Sequence, residues 1–229
     1  MTSTFLRQNG PRAVGVGLLA ALLCSCATIP DTGAAARARA TTDPAIVAAR
    51  QKLVDGARAV VGKKELVVRG KRFNWDCTGA VLAIYWYAGI DLARDFDRYA
   101  GNGVVRLYKS LDARALLYTT TRPLPGDLIF WDNTYDQNEN GKWDDQLTHV
   151  GMVMATAQDG EVSYVHHNVS KGIVIEYMNL TRPAEYQSTQ WGSTRVINSP
   201  MRQAEPGKPH PANWLSGQLY RIFGMGYLF

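Results

Sequence analysis

The sequence predicts an α+β fold, helices first and an antiparallel sheet after them, on three observations. Ile46, Val47, Leu53, Val54, Ala57, Val60 and Val61 repeat at three and four residues, which is one buried helical face. The run 79–88, "GAVLAIYWYA", is apolar nearly all round and reads as a central, buried helix. From 127 onward short β-type runs take over: 127–131 "DLIFW", 149–156 "HVGMVMAT", 161–167 "EVSYVHH" and 172–178 "GIVIEYM". "AQDG" and "NVSKG" supply turns between the last three, so they read as a meander.

The N-terminus precedes this domain. Residues 1–26 read "MTSTFLRQNGPRAVGVGLLAALLCSC". Arg7 and Arg12 stand before an apolar stretch, 13–23, too short to span a bilayer and flanked as a cleaved signal would be. The ending "LCSC" resembles a bacterial lipobox, with Leu23 three before Cys26 and small Ser25 just before it. That resemblance implies a lipoprotein signal peptide over 1–25 and a diacylated Cys26. It also implies a lipid-anchored place in the cell envelope, facing the periplasm. Ala27 carries no inner-membrane retention signal, which points to the outer membrane. The alternative is an ordinary signal peptide cut near Ala27.

Residues 27–42 are small and polar with no apolar periodicity, so 26–42 reads as a lipidated N-terminus and flexible tether. A helix then starts at Thr42 or Asp43 as cap, with Pro44 in its first turn and Gly62 as stop. Gly89 ends the second helix, and a weaker one covers 103–115. Residues 181–212, rich in Pro, Gln and Ser, read as loop, and "WLSGQLYRIFGMGYLF" returns as a last strand.

Residues 26–229 suffice for one domain with a real core. Charge bounds little: 25 basic residues face 20 acidic ones, and losing Arg7 and Arg12 leaves 23 against 20, a net +3. This suits a polyanionic neighbour only weakly. No basic, aromatic-interleaved patch points to nucleic acid, and no second apolar run of about 18 residues points to a membrane span.

Of three cysteines, Cys24 leaves with the signal and Cys26 carries lipid, so Cys77 alone remains in the folded part. Exported domains usually pair their cysteines or lack them, so a lone thiol there is a candidate nucleophile. The competing reading is a buried small hydrophobe.

Four blocks decide between these: "DCTG" at 76–79, "LPGDLIFW" at 124–131, "THVGMVMA" at 148–155 and "YVHHNVSKGIVI" at 164–175. In this order they resemble the NlpC-type cell-wall cysteine peptidases, over roughly residues 45–180. Thr78 stands where the family has Ser. The resemblance implies a papain-like α+β domain over 43–229, with the cysteine helix packed on the sheet that bears the histidines.

The chemistry agrees. A thiolate, not a thiol, attacks a carbonyl, and a helix N-terminus with a nearby imidazolium lowers a cysteine's pKa. Cys77 in the first turn has that position, and the same amides can bind an oxyanion. His149 is the candidate base, then acid. His166 is the candidate orienter, because the family's aromatic-Val-His places that role there; adjacent His167 is the rival. In a strand Tyr164, His166 and Asn168 share one face. Asp76 can cap the helix, and Gly79 permits close packing of its start. Pro125, Gly126 and Asp127 read as scaffold, Tyr85, Trp86 and Tyr87 as core, and His210 as exposed.

Two departures stand out. The family's Tyr before the cysteine motif is missing from "VGKKELVVRGKRFNWDC", where Trp75 or Phe73 could replace it by shape. An insertion, "DNTYDQNENGKWDDQL", precedes His149. Within it Asp136, Asn138, Asn140, Gly141 and Asp144 follow the spacing of a calcium loop, although Leu147 stands where Glu is expected and Asp145 could supply the missing carboxylate. This suggests a structural Ca²⁺; the alternative is a solvated turn. Catalysis itself requires no cofactor.

The resulting expectation is a peptidoglycan hydrolase. It would cleave amide bonds in cell-wall stem peptides through a Cys77 thioester, next to γ-linked D-glutamate as the resemblance implies. The partners are peptidoglycan and, through the lipid, a membrane. The rivals are a CHAP-like amidase on the same fold, a non-catalytic envelope binding module, and a secreted amidase used against competitors.

Overall fold

The computed structural model describes Met1, residues 33–202 and residues 209–229. The signal over 1–25 and lipidation at Cys26 therefore lie outside the described residues. No helix among the described residues is long and apolar enough to cross a membrane.

The segment read as a tether is helical in part: α1 spans Ala34–Thr42, with Ala40 fully buried. Its Ala and Arg residues are strong helix formers, which outweighs the missing apolar stripe. Tertiary bonds hold it. Arg50 donates from Nη1 to the Ala40 carbonyl at 2.8 Å, and Arg37 donates to the Arg122 carbonyl at 3.2 Å. Asp43 then ends α1 and caps α2 (Pro44–Val60), its carboxylate accepting from the Ala45 amide at 2.9 Å. Pro44 fits the first turn because its missing N–H has no helical acceptor there. Leu53, Val54, Ala57 and Val60 form the buried face of α2.

A short hairpin follows, β1 (Leu66–Val68) with β2 (Lys71–Phe73), and leads into α3 (Cys77–Tyr87). Six of the eleven residues of α3 are buried, as its all-round apolar run requires. Tyr85 is core, whereas Tyr87, at the end of α3, is 40% exposed. Helix α4 (Gly103–Asp112) starts against α3; a Cβ at Gly103 would meet the Thr78 side chain at 2.6 Å.

The sheet contains β3 (Leu117–Tyr118), β4 (Leu128–Trp131), β5 (His149–Thr156), β6 (Glu161–Asn168) and β7 (Gly172–Asn179). β10 (Tyr220–Gly224) completes it. Before β10 come the hairpin β8 (Gln187–Gln190) with β9 (Ser193–Val196) and the short helix α5 (Ser216–Leu219). Residues 181–212 are thus not all loop: Thr189 and Thr194, opposite each other, share a 2.8 Å hydroxyl bond that a composition count does not see. β10 (Tyr220–Gly224) inserts between β3 and β4, giving the antiparallel order β3-β10-β4-β5-β6-β7. Helix α3 packs on β5 and β6, so its first residue meets the start of β5.

The Pro-Gly-Asp turn is scaffold. Arg50 donates from Nε to the Pro125 carbonyl at 2.7 Å, and Tyr85 O–H donates to the Gly126 carbonyl at 2.5 Å. Asp127 is fully buried, its carboxylate accepting from the Tyr118 hydroxyl and from the Leu124 amide.

Candidate active site

Cys77 is the first residue of α3 and is half-buried. The helix start is built by its neighbours. Asp76 accepts from the Gly79 amide at 2.6 Å, which caps the helix. Gly79 is required because a Cβ there would lie 2.0 Å from the Asn74 carbonyl oxygen. The amides of Cys77 and Thr78 have no acceptor within the helix, and that of Thr78 faces the Cys77 sulfur.

β5 brings the second group. His149 opens the strand, and the amide of Val150, the next residue, faces the Cys77 sulfur, where it favours the thiolate. Cys77, His149, His166 and His167 all line one cavity of about 610 Å³, with Trp75, Tyr135 and Met201 on its walls.

Strand register places the third. Tyr164 and His166 share a face of β6, as alternation requires, and their rings lie 5.2 Å apart. His166 stands over Gly151, where a Cβ would come within 3.2 Å of the His166 Cβ and 3.1 Å of Trp131. Glycine at 151 therefore makes room for the imidazole. His149 Nε2 and His166 Nδ1 are 2.8 Å apart. His167 points elsewhere, edge-on to Trp75 at 5.2 Å, and its Nε2 has no hydrogen-bond partner. The geometry joins His149 to His166 rather than to His167.

The chain of bonds continues to a residue that sequence reasoning missed. His166 Nε2 lies 3.0 Å from Glu176 Oε2, and Glu176 Oε1 accepts from Lys171 Nζ at 2.8 Å and Asn168 Nδ2 at 3.5 Å. Glu176 is 6% exposed. The available signal was a single acid inside the apolar run "GIVIEYM".

The electrostatics differ from the sequence expectation. Burial pushes the Cys77 thiol up; the Val150 amide opposes this, the Asp76 carboxylate adds to it, and Thr78 opposes it again. Burial holds His149 well below the ordinary histidine value, with His166 and His167 adding to the effect. Both shifts favour the uncharged forms, a thiol and a neutral imidazole, because burial removes water that would solvate either charge. For Glu176 burial acts upward, but the bonds from His166 and Lys171 outweigh it and its carboxyl is lowered.

The insertion turns inward on itself. Asp136 accepts from the Asn140 amide at 3.2 Å and the Gly141 amide at 2.7 Å, while Asn138 and Asn140 accept from the amides of Asn140 and Lys142. Asn140 Nδ2 reaches Asp144 at 3.4 Å, and Asn138 Nδ2 reaches Asp145 at 2.9 Å. Gly141 takes the left-handed turn that position needs. Among the described residues no group of three or more His, Cys, Asp or Glu is disposed to hold a metal. The same insertion delivers Tyr135 to the cavity wall, beside Trp75; Phe73 instead packs on Trp86. His210 is exposed and stacks on Trp214 at 3.6 Å.

No family model matches the chain, and no curated protein and no solved structure matches it either.

Proposed function

We propose that this chain is a papain-like, NlpC-type cysteine hydrolase acting on amide bonds of cell-wall stem peptides. One observation carries the reading: a thiol at a helix N-terminus shares a cavity with a histidine that is itself hydrogen-bonded to a second histidine. A structural cysteine needs no such partner set.

The geometry supports a general-base route. His149 takes the Cys77 proton as the sulfur attacks the scissile carbonyl, because no thiolate stands ready beforehand. The oxyanion forms against the backbone amides of the helix start. His149 then gives its proton to the leaving amine, and water, activated by the same imidazole, hydrolyses the thioester. The substrate class follows from the likeness of "DCTG", "PGDL" and "HVG" to the cell-wall peptidases.

The raised thiol favours one other reading, a binding module with an inert cysteine. Purified residues 27–229, with and without Cys77→Ala, incubated with sacculi separate the two. Cys77-dependent release of peptide supports the hydrolase, and fragment masses distinguish an endopeptidase from an amidase. Binding without release, in both proteins, supports the module.

A further inference from the structure

We propose that Glu176 is a positioning residue: by accepting a proton bond from His166 it sets the direction of the two-histidine chain, so that Nδ1 of His149 is the nitrogen left bare for the Cys77 proton. The consequence for catalysis rests on the hydrolase reading above.

The argument is one of donors and acceptors. Two imidazoles that carry one proton each, joined Nε2 to Nδ1, can be bonded in either of two directions. In one, His149 Nε2–H donates to His166 Nδ1 and His149 Nδ1 keeps its lone pair. In the other, His166 Nδ1–H donates to His149 Nε2, and His149 Nδ1 carries a proton and cannot act as base. The bond between the rings is equally good both ways. An ionised carboxylate only accepts, so at 3.0 Å Glu176 requires the proton of His166 to be on Nε2. His166 Nδ1 is then an acceptor and His149 Nε2 the donor. When the base acts, the thiol proton goes to His149 Nδ1 and the S–H electron pair stays on sulfur.

The placement of Glu176 fits this use. It lies on the face of β7 opposite Tyr164, with Tyr164, His166 and Lys171 as the titratable groups about it. Lys171 is 60% exposed, so only the carboxylate bears the cost of burial. For stability alone an apolar residue would serve as well at a buried strand position.

Full-length protein labelled with ¹⁵N-histidine tests the proposal by ring-nitrogen NMR at pH 7.5. The wild type is expected to show bare Nδ1 and protonated Nε2 on both His149 and His166. A protonated Nδ1 on either in the wild type overturns the proposal without any variant. In Glu176→Gln, Lys171 can only donate and so takes the amide oxygen, which turns the amide N–H₂ toward His166 Nε2. The chain is then expected to reverse, and alkylation of Cys77 by iodoacetamide to slow about tenfold or more. Unchanged tautomers in Glu176→Gln overturn it. Lys171→Ala breaks the ion pair but keeps the carboxylate, so it should retain the wild-type tautomers; a reversal there assigns the effect to the ion pair and also overturns it. His149→Ala separates the two readings. If it alkylates as fast as the wild type, the Cys77–His149 pairing fails, while the NMR result still decides the role of Glu176.

Discussion

His149 and His166 meet edge to face, ring centroids 5.1 Å apart, with one nitrogen of each at 2.8 Å. His149 is held below the ordinary histidine value chiefly by burial, and the neighbouring His166 and His167 add to the effect.

Cys77 reactivity should therefore be governed from the alkaline side. The thiol is raised and the imidazole lowered, so both are neutral across the middle of the pH range. Iodoacetamide labelling followed by mass spectrometry should be slow at pH 6 and still rising above the ordinary thiol value. Hydrolysis should instead show a broad plateau, its acid limb below the ordinary histidine pKa. Asp76→Asn keeps a capping oxygen but removes a charge that opposes the thiolate, so the labelling curve should move to lower pH with little change in stability. Fast labelling of the wild type at pH 6 would contradict the neutral pair.

Gly151→Ala should cost more activity than stability. The added methyl meets the Val165 carbonyl at 2.9 Å, Trp131 at 3.1 Å and the His166 Cβ at 3.2 Å. Overpacking of this kind costs about 1–3 kcal/mol, readable by urea denaturation. Displacement of the His166 ring should lower peptide release at least as far as removing the base does. A variant with wild-type release would place the histidine contact outside the catalytic step.

Asp127 sets a pH dependence of stability. Burial lifts its carboxyl to about 6, against the bonds from Tyr118 and Leu124. The folded value exceeds the unfolded one, so this contribution is fully present below the unfolded pKa and is lost as pH rises through about 6. The loss is on the order of 3 kcal/mol. His149, depressed in the fold, acts in the opposite direction, so the difference between two proteins is the useful quantity. Asp127→Asn should gain on the wild type as pH rises from about 4 to about 6 in paired urea titrations, with little further change above that. A constant difference between them would remove Asp127 from the pH response.

A structural calcium in the 136–144 loop predicts heat on titration and a higher melting temperature, both lost in Asp136→Ala. Calorimetry of the purified domain reads this directly. With no heat, the oxygens of Asp136, Asn138 and Asn140 serve only the loop amides they already accept from, and Asp136→Ala should still loosen the loop by about 1 kcal/mol.

The helices and the four central strands were legible because burial and period agree in them: α2, α3 and β4 to β7 fall where their apolar patterns lie. Asp76 as cap and Gly79 as contact residue were legible for the same local reason. Glu176 was not. In "IVIEYM" alternation alone would turn Ile175 and Tyr177 inward and the acid outward, yet Glu176 is buried and both neighbours are 38% exposed. Register is set by pairing with β6, which no local pattern encodes. The neutral resting pair was hidden too, since desolvation depends on which elements close over Cys77 and His149.

The position of β10 has a consequence for the order of assembly. The strand between β3 and β4 is the last of the sheet in sequence, pairing Phe223 with both Tyr118 and Ile129. A chain made from its N-terminus has Cys77, His149 and His166 in hand long before the strand that closes the sheet beside β4. Such distant pairing is slow to form, because a large loop must close before any contact rewards it. A chain that lacks β10 therefore carries Cys77, His149 and His166 on a sheet whose β4 edge is still unpaired.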